Sequence, residues 1–198
     1  MQAQNDLTLA YYDAAGQPCS ENLTGQEVFT TEQTATTAFW QHVRMIFGVS
    51  PTKDAVVIAQ ATGSGERFTI KSIRTIKFQT RSGSDLKELL DRLVVLFDRG
   101  SSRQPPTVAL LGSSSGRFKS SVEAIKAEAI TELAAAESGL PVVRVNAASL
   151  KKVLGCAAGQ KWQARAGERF NPTGRFKNWS QGAAGAGAAA LKVVVGTT

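Results

Sequence analysis

Across residues 151–179 seven cations, Lys151, Lys152, Lys161, Arg165, Arg169, Arg175 and Lys177, are interleaved with the rings of Trp162, Phe170, Phe176 and Trp179. Cations neutralise phosphates and aromatic faces stack on bases, so this mixture is the composition of a surface for single-stranded or irregular nucleic acid. The same mixture also describes rings that complete a core beneath a solubilising layer of charge, and the sequence leaves both readings open. Charge placement agrees with the first. Residues 1–50 hold one basic side chain against five acids, residues 151–198 hold eight against one, and the chain as a whole carries +7. A polyanion is therefore expected to dock on the C-terminal part.

A second basic feature is Gly112-Ser-Ser-Ser-Gly116-Arg-Phe-Lys119-Ser120, between an apolar strand and a helix. A phosphate-cradling loop would need its second glycine at position 117, directly before the lysine, and Arg117 stands there. A tight strand-to-helix turn explains the glycines without a nucleotide. Arg117 and Lys119 at a helix N-terminus remain candidates to hold a single phosphate, because free N–H groups and the helix dipole favour an anion there. Elsewhere the chemistry is thin. His42 is the one histidine, with no recognisable nucleophile turn to serve. With Cys19 and Cys156 it cannot complete a four-ligand zinc site, so neither a metal nor a cofactor is expected. Few cysteines, a polar first segment and no apolar run of roughly 18 to 20 residues predict a cytoplasmic protein without a membrane span.

These groups must be carried by elements the patterning predicts. Residues 1–43 read as an N-terminal extension, with a hairpin (Leu7 to Tyr12, then Glu27 to Thr30) and a short helix around Phe39 and Trp40. Met45 to Val49, Ala55 to Ala61 and the series Phe68, Ile70, Ile73, Ile76, Phe78 form a three-stranded meander. Asp85 to Arg99 repeats Leu86, Leu89, Leu90, Leu93, Val94 and Phe97 at helical spacing behind Ser84 as cap. Val108 to Leu111 is a buried strand. Ser121 to Ser138 is a helix with a Ser120–Glu123 capping box and an apolar stripe of Val122, Ile125, Ala129, Ile130 and Leu133. Pro141 to Val145 is a strand, and Ser149 caps a short helix that ends at Gly155. Residues 156–181 read as a loop, and a helix of small residues from Gly182 to Val195 closes the order. Alternation of this kind predicts an α/β domain with a mixed sheet over residues 44–198.

Four segments, Met45-Ile-Phe-Gly-Val-Ser-Pro51, Val108 to Leu111, Gly116-Arg-Phe-Lys-Ser-Ser121 with Lys126 and Glu128, and Val143 to Gly155, resemble the RuvC-like branch of the ribonuclease H-like superfamily, which includes small uncharacterised proteins of this fold. The resemblance covers residues 44–195 and implies a mixed sheet flanked by helices. It also implies acids at the end of the first strand, after the central strand and on the last helix, which in active members hold two magnesium ions for phosphodiester hydrolysis. Two dications about 3.5 to 4 Å apart need several anionic oxygens. Here the first position falls on Ser50, the second among Leu111, Gly112 and Ser113, and the third among Ala183 to Ala188, none of them acidic. The family's short-helix lysine, which lies near the nucleic-acid side, would match Lys151 or Lys152.

The expectation is thus a catalytically inactive RuvC-like domain. It would bind nucleic acid, DNA or RNA, or a nucleoprotein complex, through Lys151 to Trp179, with Arg117 and Lys119 as further contacts. The alternative is a protein-interaction or structural module whose partner binds residues 1–43. A metal-dependent nuclease, with Asp54, Glu123 or Glu128 supplying an acid, is the third reading.

Overall fold

The computed structural model describes residues 44–64, 67–98, 105–112 and 121–196. The readings made on residues 1–43, and on Ser113, Arg117, Lys119 and Ser120, lie outside the described residues. Five strands, β1 (Arg44–Pro51), β2 (Ala55–Ser64), β3 (Arg67–Lys77), β4 (Thr107–Leu111) and β5 (Val142–Val145), form one sheet in the order β3-β2-β1-β4-β5. β1, β2 and β3 pair antiparallel as the predicted meander, and β4 and β5 join β1 in parallel. Apolar residues in β3 change phase between Ile70 and Ile73 because the ladder shifts by one residue opposite Gln60 and Ala61. This bulge keeps Phe68, Ile70 and Ile73 on one face and turns Ile76 and Phe78 to the other.

Helices α1 (Gly83–Phe97) and α2 (Val122–Glu137) cover one face of the sheet. That core is built from large side chains, including Phe47 against Phe97 at 5.3 Å between ring centroids, with Leu89, Leu93 and Leu110 buried around them. Helices α3 (Ala147–Val153), α4 (Trp162–Phe170) and α5 (Gln181–Gly196) cover the other face. There the packing rests on small residues. Gly48 of β1 lies beside Ala59 of β2 and Ala109 of β4, and α5 sets its own alanines and glycines on that floor. A Cβ placed on Gly48 would fall 1.9 Å from the carbonyl oxygen of Ala186. Two rows of small residues are what lets a helix backbone come so close to a strand. No helix among the described residues is long and apolar enough to cross a membrane.

Several local expectations are corrected. Ser82, not Ser84, caps α1, because Asp85 lies three residues after it and closes a capping box: Ser82 Oγ accepts from the Asp85 N–H, and Asp85 Oδ2 accepts from the Ser82 N–H. Ser121 caps α2 and Asn146 caps α3, with Ser149 inside the helix. The stripe assigned to α2 is not its buried face. Val122, Ile125 and Leu133 are exposed, while Ala127, Thr131, Ala134 and Ala135 are buried with Glu128. Glu123, Lys126, Glu128, Glu132 and Glu137 are spread around this helix among its alanines, so its period does not say which side faces the sheet. Finally, the predicted loop 156–181 contains α4. Trp162, Ala166 and Phe170, four residues apart, supply the face that packs on the core, a signal masked by the polar residues between them.

Candidate nucleic-acid interface

Residues from the three segments in which the resemblance implies acids meet in space. Ser50, near the end of β1, lies beside Leu111 at the end of β4, and α5 brings Gly185 over both. A Cβ at Gly185 would stand 2.8 Å from Ser50 Oγ and 2.8 Å from Leu111 Cδ2. Ser50 is 5% exposed. The point of convergence therefore offers a buried hydroxyl, a hydrocarbon side chain and a residue with no side chain. These do not fit two magnesium ions, which require anionic oxygens. Among the described residues no three His, Cys, Asp or Glu side chains gather as a metal site.

A carboxylate close to this corner is that of Glu128 on α2, whose Oε1 lies 3.7 Å from where a Cβ on Gly112 would stand. It is held by Arg144 of β5: Nη1 donates to Glu128 Oε1 at 2.8 Å, while Nε and Nη2 donate to Glu132 at 2.6 and 2.8 Å. The sequence spacing of Glu128 and Glu132 reads as a solvated face; instead Glu128 is 7% exposed, and both acids clamp α2 to the sheet through one guanidinium. The two carboxylates in turn hold the Arg144 pKa above its ordinary value, the hydrogen-bonded Glu132 contributing most. Replacing Arg144 with alanine leaves a buried carboxylate without this partner. We expect Arg144→Ala to lower the melting temperature clearly more than Lys87→Ala, which removes an exposed helical pair. Equal melting temperatures in calorimetry would contradict the clamp.

The cations lie on the α3 and α4 side. Lys151 and Lys152 occupy the last turn of α3, Lys161 precedes α4, Arg169 is in its last turn, and Arg175 and Lys177 follow it; all six are exposed. Arg165 is differently placed. It bonds Glu168 at 3.0 Å and reaches the Leu154 carbonyl at 3.4 Å, tying α4 to the end of α3. The rings are half-buried against the core. Phe170 meets Phe68 at 5.4 Å and Trp179 at 6.4 Å, and Phe176 stacks on Trp179 at 6.4 Å. Trp162 packs on the same cluster. Rings anchor this layer from below and cations form its outer surface.

One side chain shapes the loop that carries Arg175 and Lys177. Asn171 Oδ1 accepts from the Phe176 N–H at 2.8 Å, and its Nδ2 donates to the Phe176 carbonyl at 3.2 Å. Gly174, with φ +67°, makes the turn between them. Phe176 is thereby fixed inward, and Arg175 and Lys177 project on either side of it, the Arg175 guanidinium 5.2 Å from the Phe176 ring centre. Two hydrogen bonds contribute about 1–3 kcal/mol together. We expect Asn171→Ala to raise proteolytic nicking within residues 171–177 while α5 and the sheet stay folded, as limited proteolysis with mass spectrometry would read. An unchanged cleavage pattern would mean that Asn171 does not brace the loop.

Two structures of Thermus thermophilus RuvC superpose on this chain. The one in complex with a Holliday junction substrate gives a TM-score of 0.62 at 15% identity, covering 78% of this chain and 94% of the other. The other gives 0.60 at 18% identity, covering 77% and 97%. The fold is RuvC-like, of the ribonuclease H class. No family model matches the chain, and no curated protein does.

Within the RuvC-like frame, the expectation of a mixed sheet flanked by helices holds. The corner where β1, β4 and α5 meet is a packed joint of Ser50, Leu111 and Gly185. The cationic layer is carried by the elements that follow β5. The sequence reading did not find the Arg144 clamp or the Asn171 brace. The first could have been sought as a buried acid within reach of a strand arginine; the second as an Asn before a Pro-Thr-Gly turn.

Proposed function

We propose that residues 44–198 form a RuvC-like domain without two-metal hydrolysis, preceded by an extension at residues 1–43, and that the domain binds nucleic acid through its phosphates. The observation that carries this reading is the run of exposed cations Lys151, Lys152, Lys161, Arg169, Arg175 and Lys177 on α3, α4 and the braced loop. Ser50, Leu111 and Gly185, at the positions where the resemblance implies acids, remove the oxygens that phosphodiester hydrolysis by two metals would use. A RuvC of the same fold has been observed on a Holliday junction, which supports DNA as the first polyanion to test.

In this reading Lys151 and Lys152 form one end of the contact surface and Arg175 and Lys177 the other. Trp162, Phe170 and Trp179 hold the cations in place by packing beneath them, and Arg165 joins α4 to α3. Such a surface positions a backbone and carries little sequence information.

The test incubates a labelled four-way junction and a duplex with the protein and magnesium, and runs each sample on native and denaturing gels. A shifted probe that stays intact is the expected result. Strand cleavage that depends on magnesium and grows with time would overturn the non-catalytic reading, and an unshifted probe would overturn the binding one.

A further inference from the structure

The opposite face of the sheet carries a second feature that the nucleic-acid reading does not use. Among the described residues β3 is the edge of the sheet, eleven residues long. Between it and α1 runs a groove of about 1190 Å³. Ile76, Val95 and Leu96 line it with apolar surface, and Val95 is 60% exposed. On α1 the charges cancel locally, Lys87 with Asp91 at 2.7 Å and Arg92 with Glu88 at 3.5 Å. On β3 they do not cancel. Lys71, Arg74 and Lys77 are exposed, and none forms an ion pair among the described residues.

We propose that β3 and this groove receive an extended, acidic segment of a partner protein, which adds to the sheet as a sixth strand. The strand edge supplies N–H and C=O groups for a peptide ladder. An apolar side chain of the added strand enters the groove over Ile76 and Val95, where Arg74 stands at the rim, and acidic side chains on its other face meet Lys77. Three other accounts fit less well. Lysines on an edge are a common guard against aggregation, but a guard alone does not account for the groove that Ile76, Val95 and Leu96 line beside it. A second copy, pairing β3 with β3, would bring two sets of unpaired cations together, and like charges across a strand pair are destabilising. Nucleic acid would find phosphate partners but no aromatic face in the groove, and it has no use for the ladder.

The probes are short fluorescein-labelled peptides of alternating Glu and Val, the matching Lys and Val peptide, and a Glu and Val peptide with proline at its centre. They are titrated into the full chain by anisotropy and by 15N–1H NMR. The Glu and Val peptide is expected to saturate below about 1 mM and to perturb amides of residues 68–77. The Lys and Val and the proline peptides should not bind. The triple variant Lys71→Glu, Arg74→Glu, Lys77→Glu should reverse the preference between acidic and basic peptides. Val95→Asp, at a site 60% exposed, should weaken the acidic peptide about tenfold or more while the far-UV circular dichroism stays that of the parent. Three results would overturn the proposal: no saturation by any peptide, perturbation confined to α3 and α4, or equal binding of acidic and basic peptides. A concentration-dependent dimer that Val95→Asp abolishes would also overturn it, and would assign the groove to a second copy.

Discussion

Gly48→Ala is expected to lower the melting temperature by roughly 6–12 °C, from a loss of about 3 kcal/mol. An alanine in a strand interior ordinarily gains about 0.5–1 kcal/mol over glycine, so a loss of this size isolates the contact above Gly48. The added methyl would stand 1.9 Å from the Ala186 carbonyl oxygen and 3.0 Å from the Ala190 Cβ. The first of these atoms belongs to helix backbone and cannot rotate away. Either α5 lifts from the sheet, opening the core beneath Ala184 and Ala188, or β1 distorts between its two partners. Gly83→Ala is the control, since a Cβ there meets nothing within 4 Å. It should be neutral or slightly stabilising in the same calorimetric scan. A Gly48→Ala protein that melts with the parent would mean that α5 does not lie against β1 as described.

The second large effect is on binding. Replacing Lys151, Lys152, Arg169, Arg175 and Lys177 with alanine is expected to weaken duplex binding roughly a hundredfold or more at low salt, and to cut the dependence on salt by about one power per cation removed. All five side chains are exposed, so the variant should melt within a degree or two of the parent. The matched variant is Trp162→Phe, which keeps an apolar ring on the core. Under the phosphate-binding account it retains both affinity and salt dependence. Were Trp162→Phe to lose affinity while the five-cation variant kept it, base stacking rather than charge would be the source of binding.

How much of this could be read from the chain differs by element. The central strands β1 and β4 were legible as short continuous apolar runs because both of their faces are buried, and β3 as an alternating series, whereas its bulge between Ile70 and Ile73 was not read. The run from Gly182 to Val195 was legible as a helix, yet an all-small helix has no phase. Its contact with Ser50 and Leu111 through Gly185 could therefore not be read from the pattern of the run and appears only in the fold. α4 was lost among Gly, Arg and Gln because a nine-residue helix shows its packed face at only three positions, Trp162, Ala166 and Phe170. The rings of the C-terminal region were legible as rings but not as inward or outward. Their burial depends on Phe68 and α5, which are remote in sequence.

The same remoteness explains the acids. Glu128 and Glu132 have the spacing of a solvated helical face, and nothing local announces that Arg144, on a strand formed after α2 ends, will join them. Ser50, Leu111 and Gly185, from three segments far apart in sequence, meet at one packed corner.

The measurement that tests the central claim most directly is the anisotropy of a labelled duplex and a labelled four-way junction, titrated with the full chain at about 50 and 200 mM salt. If the six exposed cations each meet a phosphate, affinity should fall about a thousandfold between the two conditions. Affinity that is flat across this range, or no binding at the lower salt, would contradict a phosphate-reading surface on α3, α4 and the Asn171 loop.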